Sequence, residues 1–211
     1  MKKYYAEFIG TFLMMFCGTG AMIIDETTNG SITHVGVAIT WGLIIMSLIY
    51  ALGETSGAHF NPAVTIAFTV NKNFPLQQVL PYVGSQFLGG ISASLLLKYL
   101  FPTSVFLGAT VPNGSNMQAF ILEIILSFLL MLVVLKVAKG SKEQGLFAGI
   151  AIGSVVLLEA MFAGPICGAS MNPIRSLTPA LVSGHLSQVY IYIIAPPIGM
   201  LLAVGFNKLL Q

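Results

Sequence analysis

The chain has 211 residues, of which 56% are hydrophobic and only 8% charged, and its mean hydropathy is +0.89. Such a composition lies far outside what a water-soluble domain of this size needs for one core, so lipid is its natural solvent. A net charge of +2 offers no basic surface for nucleic acid, and no cofactor motif stands in the sequence.

A hydrocarbon core about 30 Å thick needs roughly 20 apolar residues per spanning helix. Six stretches meet or approach that length: Tyr5 to Ile24, Val35 to Leu52, Leu76 to Leu100, Met117 to Val137, Leu146 to Phe162 and Gln188 to Phe206. The first, with Lys2 and Lys3 ahead of it, could be misread as a cleaved signal peptide, but Glu7 breaks its apolar run early and a membrane helix is predicted. If six helices alternate, Lys2, Lys3, Lys72, Lys136, Lys139, Lys142 and Lys208 fall on one side and Asp25 and Glu26 on the other. Positive residues accumulate on the untranslocated side, which predicts cytoplasmic termini in a plasma (inner) membrane. Lys98 departs from this bias, near the outer end of the third span, where a long side chain snorkels to the interface. Cys17 is expected inside the first helix and Cys167 in a membrane-depth loop reachable from outside; neither suggests a disulfide or a metal site.

An internal repeat runs through this pattern. Ala6-Glu7-Phe8 with its following residues echoes Leu122-Glu123-Ile124, Gly36-Val37-Ala38-Ile39 echoes Gly149-Ile150-Ala151-Ile152, and His59-Phe60-Asn61-Pro62-Ala63 echoes Ser170-Met171-Asn172-Pro173-Ile174. With three spans per half, the second copy enters from the opposite face. The chain is therefore read as a single domain, 1–211, built of inverted repeats over about 1–100 and 117–211. Its working site should lie where the halves meet, near the bilayer midplane. Gly89, Gly90, Gly145, Gly149 and Gly153 are expected to let helices approach closely.

Asn61-Pro62 and Asn172-Pro173 read as helix starts, since asparagine is a favoured N-cap and proline a favoured first helical residue. Short helices Pro62 to Val70 and Ile174 to Val182 would then enter from opposite faces and meet tip to tip, each offering a positive dipole end and an amide donor. Residues Gly57, Ala58, His59, Phe60 and Gly168, Ala169, Ser170, Met171 lead to the tips. Their carbonyls can serve a conduit, because irregular backbone at this depth is tolerated only where it lines a cavity. Glu7 and Glu123 are expected to brace these loops by accepting backbone N–H bonds.

These motifs resemble the major intrinsic protein family of aquaporins and aquaglyceroporins over essentially the whole chain, through Ala6-Glu7-Phe8, Ser56 to Thr65 and Gly168 to Ser176. Ala163-Gly164-Pro165-Ile166-Cys167-Gly168-Ala169-Ser170-Met171 is most similar to the nodulin-like branch. The resemblance implies an aquaporin-like, all-α membrane fold of six transmembrane helices and two re-entrant half-helices. It implies a homotetramer in the lipid bilayer, with one pore per subunit. It implies a pore motif of Asn61, Pro62, Ala63, Asn172, Pro173 and Ile174, and an outer filter of Trp41, Ala160, Ala169 and Arg175. Water-selective members usually carry phenylalanine and histidine at the first two filter positions. The tryptophan and alanine here imply a wider, more apolar opening with one cationic donor, suited to glycerol-like polyols or metalloid hydroxides as well as water.

Three residues depart from the family pattern. Ile174 stands where alanine is usual and would tighten or shift the half-helix junction; Glu54 stands where histidine is common; Glu159, next to Ala160, has no assigned role and is expected to point away from the pore. The reading is a passive, ion-excluding channel. Its alternatives are a water-specialised pore and a proton-coupled secondary transporter. An enzyme is not expected, since His34, His59 and His185 are scattered and no acid, base and nucleophile converge.

Overall fold

The computed structural model describes residues 1–138 and 145–210, and among these every regular element is helical. In chain order they are α1 (Lys2–Thr27), α2 (Thr33–Ser56), the short α3 (Pro62–Val70), a 3-10 turn (Leu76–Gln78) leading into α4 (Val79–Leu100), α5 (Asn116–Val137), α6 (Ala148–Cys167), the short α7 (Pro173–Ser183) and α8 (Val189–Leu209). The six long helical segments are long and apolar enough to cross a membrane, as expected. Lys139 and Lys142, counted in the charge bias, lie outside the described residues.

Solvent preference is inverted relative to a soluble protein. Leu80, Leu158 and Leu202 stand exposed on the outer surface, while Glu7, Glu123, Gln86 and Arg175 are buried. Apolar side chains facing outward suit lipid, and polar ones inside demand partners from the protein itself.

The helices pack chiefly as α5 on α8, α2 on α6 and α1 on α4. Without a hydrophobic drive between helices in lipid, close backbone approach supplies the contact, and it requires residues without a side chain. A Cβ on Gly89 would come 2.3 Å from the Phe8 carbonyl oxygen, and one on Gly199 2.2 Å from that of Ile124. Gly42 and Gly153 face each other so closely that a Cβ on either would lie 2.7 Å from the other's carbonyl oxygen. Of the glycines singled out in the sequence, Gly145 alone meets nothing within 4 Å among the described residues.

Two helices run farther than their apolar cores. Gly53 to Ser56, too polar to look like a span, completes α2, and Gly57, at φ 83°, ends it by donating its N–H to Gly53. Likewise α6 continues to Cys167 and stops at Gly168, at φ 84°. The left-handed conformation at both stops is one that glycine adopts without steric cost. Helix α6 also passes through Pro165, whose missing N–H leaves the Met161 carbonyl without its helical donor. His34 fills that place from α2, its Nε2 donating at 2.6 Å. Cys167 is therefore not in a loop: it is fully buried at the helix end, its Sγ on the Ala163 carbonyl, whereas Cys17 is only half-buried. The expected exposure of the Cys167 thiol at the outer mouth is therefore not met.

Candidate functional site

Asn61 and Asn172 cap α3 and α7 from extended backbone, at φ −154° and −151°. Asn61 Oδ1 accepts from the Ala63 N–H at 2.9 Å and Asn172 Oδ1 from that of Ile174 at 3.0 Å. Each amide nitrogen then crosses to the other loop: Asn61 Nδ2 donates to the Met171 carbonyl at 2.8 Å and Asn172 Nδ2 to the Phe60 carbonyl at 2.9 Å. An amide carries two N–H bonds. One on each asparagine is thus fixed across the junction, which orients the second.

The loops leading to these caps contain left-handed residues that are not glycine, Ala58 at φ 50° and Phe60 at φ 46°, matched by Ala169 at 41° and Met171 at 52°. Such conformations cost on the order of 1 kcal/mol each and persist only where surrounding contacts enforce them. Here two buried carboxylates supply those contacts. Glu7 accepts from the N–H groups of His59 (3.0 Å) and Phe60 (2.8 Å), and also from Ser56 Oγ and Gln86 Nε2. Glu123 accepts from the N–H groups of Ser170 (2.7 Å) and Met171 (2.8 Å). Tyr82 and Tyr192 add a matching pair, donating to the carbonyls of Ser56 and Cys167 where α2 and α6 end.

A cavity of about 160 Å³, predominantly apolar, runs between these parts. Asn61 and Asn172 both line it, whereas Pro62, Ala63, Pro173 and Ile174 do not. Of the eight approach residues, all but Gly168 line it. Trp41, Ala160, Ala169 and Arg175 are brought together on its wall, the Arg175 guanidinium carbon 4.8 Å from the Trp41 ring centroid. Arg175 Nη1 donates to the Gly108 carbonyl at 2.7 Å and Nη2 to Met22 Sδ at 3.0 Å. Neither acceptor carries a charge, so among the described residues the cation at the cavity wall has no neutralising hydrogen-bond partner. Much of the remaining lining is hydrocarbon, including Ile45, Ile49, Val156 and Val134.

The three departures have distinct fates. Ile174 turns from the cavity onto α4, where Gly90 makes room: a Cβ there would lie 2.7 Å from Ile174 Cγ2. The larger side chain is absorbed by helix packing. Ile174→Ala should destabilise the protein by about 2–4 kcal/mol through the hole it leaves. Gly90→Ala should destabilise it by about 1–3 kcal/mol through overpacking. The double variant should lose less than their sum, with partial rescue because Thr178 also crowds that Cβ. Thermal unfolding in detergent, followed by circular dichroism, measures all three. Glu159 is fully buried, is not among the residues lining the cavity and, among the described residues, has no hydrogen-bond partner for either carboxylate oxygen. Glu54 is exposed near the end of α2.

Sequence reading missed Ser56, Gln86, Gly108 and Met22. A glutamine in an apolar helix is itself a signal, since it must find a partner in lipid. Gly108 and Met22 leave no such mark: one acts through its carbonyl and the other looks like ordinary membrane hydrocarbon.

The family model described as "Major intrinsic protein" matches residues 1–206. The chain is 48% identical to "Nodulin-26" of Glycine max over 201 residues, covering 94% of this chain and 74% of that protein. It is 47% identical to "Probable aquaporin NIP4-2" of Arabidopsis thaliana over 207 residues, covering 97% of this chain and 72% of that one. The X-ray structure of the aquaglyceroporin from Plasmodium falciparum superposes with a TM-score of 0.89 at 26% identity, over 98% of this chain and 95% of that one.

Proposed function

Since this chain belongs to the major intrinsic protein family and is a membrane channel rather than an enzyme, we propose that it passes small uncharged solutes, glycerol-like polyols or metalloid hydroxides, together with water, and excludes ions and protons. The observation that carries the reading is the chemistry of the cavity wall. Its lining joins two kinds of surface, the Trp41 ring and Ala160 methyl beside the donors of Arg175, Asn61 and Asn172. A polyol has the same two kinds of surface, a carbon backbone that slides on hydrocarbon and hydroxyls that accept from cationic and amide donors.

In this reading Trp41, Ala160, Ala169 and Arg175 form the filter, and Asn61 and Asn172 bind the permeant at the junction. The approach loops offer acceptors, with Glu7 and Glu123 bracing them. Phe60 and Met171 carbonyls keep a second lone pair each after accepting the asparagine bonds. The reciprocal asparagine bonds and the paired carboxylates support the inverted halves, about 1–100 and 117–211. Cytoplasmic termini in a plasma (inner) membrane are supported by the lysines at Lys2, Lys3, Lys72 and Lys208 opposite Asp25 and Glu26. The homotetramer rests on the family resemblance.

Charge exclusion follows from the unneutralised guanidinium and two positive helix ends, and proton exclusion from the amides that orient a central water toward both half-helices. Proteoliposomes bearing a proton gradient should hold it while conducting water. A leak that scales with protein content overturns the reading. Arg175→Val should keep solute flux but weaken charge exclusion; unchanged exclusion would locate the barrier wholly at the asparagine junction.

A further inference from the structure

Helix α1 gives none of the four filter residues, yet one of its faces backs two of them, Trp41 and Arg175. Gly18, Thr19 and Met22 are neighbours on that face, at helical spacings of one and four. The Trp41 ring occupies the space above Gly18, where a Cβ would come 2.5 Å from it. Thr19 abuts Gly108, whose carbonyl holds Arg175 Nη1. Met22 Sδ takes Nη2.

We propose that Met22 is a positioning residue for solute selection: its thioether sulfur holds the Arg175 guanidinium against the wall, and so sets the largest neutral solute that passes. A guanidinium has five donors and no acceptor, so its direction is decided by what receives them. With Nη1 on the Gly108 carbonyl alone, the group keeps a swing about that bond. The second contact removes it and holds the guanidinium over the Trp41 ring, 4.8 Å from its centroid, so that the two groups together bound one side of the opening. Sulfur suits this task because it is polarisable and accepts weakly. A carboxylate there would neutralise the charge that excludes ions, and an aliphatic side chain would leave a donor free to turn into the opening.

The inference rests on the filter reading above, and the test separates the two. Stopped-flow permeabilities of proteoliposomes are measured for water, formamide, glycerol, erythritol and sorbitol. The parent's cut-off judges the reading; the shift of that cut-off, wherever it lies, judges Met22. Met22→Leu keeps volume and apolarity but removes the acceptor, and should raise the permeability of the first solute the parent excludes by about threefold or more, the scale of one weak hydrogen bond to sulfur. Met22→Ile, a second apolar replacement, carries the same expectation. Met22→Gln returns an acceptor at similar reach and should restore the parent's cut-off. In an Arg175→Val background, Met22→Leu should change nothing. The proposal is overturned if the apolar variants keep the parent's cut-off, if glutamine behaves as leucine, or if leucine acts equally without Arg175.

Discussion

Replacing Trp41 with phenylalanine and Ala160 with histidine should lower glycerol permeability by about tenfold or more while water permeability falls far less. Both positions face the cavity beside Arg175. The exchange puts a polar ring where a methyl group stood and a smaller ring where the indole lay. A small opening rejects by volume, and a three-carbon polyol cannot shed its width as a file of water molecules can. Stopped-flow swelling and shrinkage of proteoliposomes decide it. Equal glycerol permeability in the double variant and the parent would mean that Trp41 and Ala160 do not line the constriction.

Loss of Glu123 should be more damaging than loss of any filter residue. Its two oxygens are what the Ser170 and Met171 N–H groups bond, at 2.7 and 2.8 Å, and all three residues are buried. Glu123→Leu leaves two buried donors unpaired, a destabilisation on the order of 4 kcal/mol, against a total stability of about 5–15 kcal/mol for a typical domain. The left-handed Ala169 and Met171 would lose the contacts that hold them, and the Met171 carbonyl would no longer meet Asn61. Both water and solute flux should disappear or nearly so. Glu123→Gln should lie between, since an amide oxygen can serve one N–H but its NH2 opposes the other. Glu7 has two further donors, Ser56 and Gln86, so Glu7→Gln should be the milder of the two amide variants. Thermal unfolding and water flux, measured together, test this order.

The parts of this molecule that announced themselves in sequence are those where physics leaves few choices. Six apolar stretches admit one solvent, and Asn61-Pro62 with Asn172-Pro173 read directly as capped helix starts. Glu7 and Glu123 stood out because a carboxylate within an apolar span must meet donors. Helix ends were less legible, because hydropathy reports the surrounding solvent and not the neighbouring protein. Polar Ser56 belongs to α2 because it is buried against Glu7, and α6 crosses Pro165 because a histidine from another helix takes up the freed carbonyl. Ile174 looked like a change to the junction and proved to be a change to helix packing, since its effect depends on a glycine 84 positions away in sequence that only the fold brings near. Met22 was invisible for the same reason: nothing local distinguishes a methionine that contacts guanidinium from one that contacts lipid.

Permeation should be passive and unsaturated, through an open cavity that binds nothing tightly. Glycerol flux into proteoliposomes, measured against the size of the imposed gradient with and without a proton gradient, tests it most directly. Flux should rise in proportion to the glycerol gradient, without a plateau, and be indifferent to the proton gradient. A flux that saturates, or that runs uphill when protons run down, would contradict a channel and point to coupled transport.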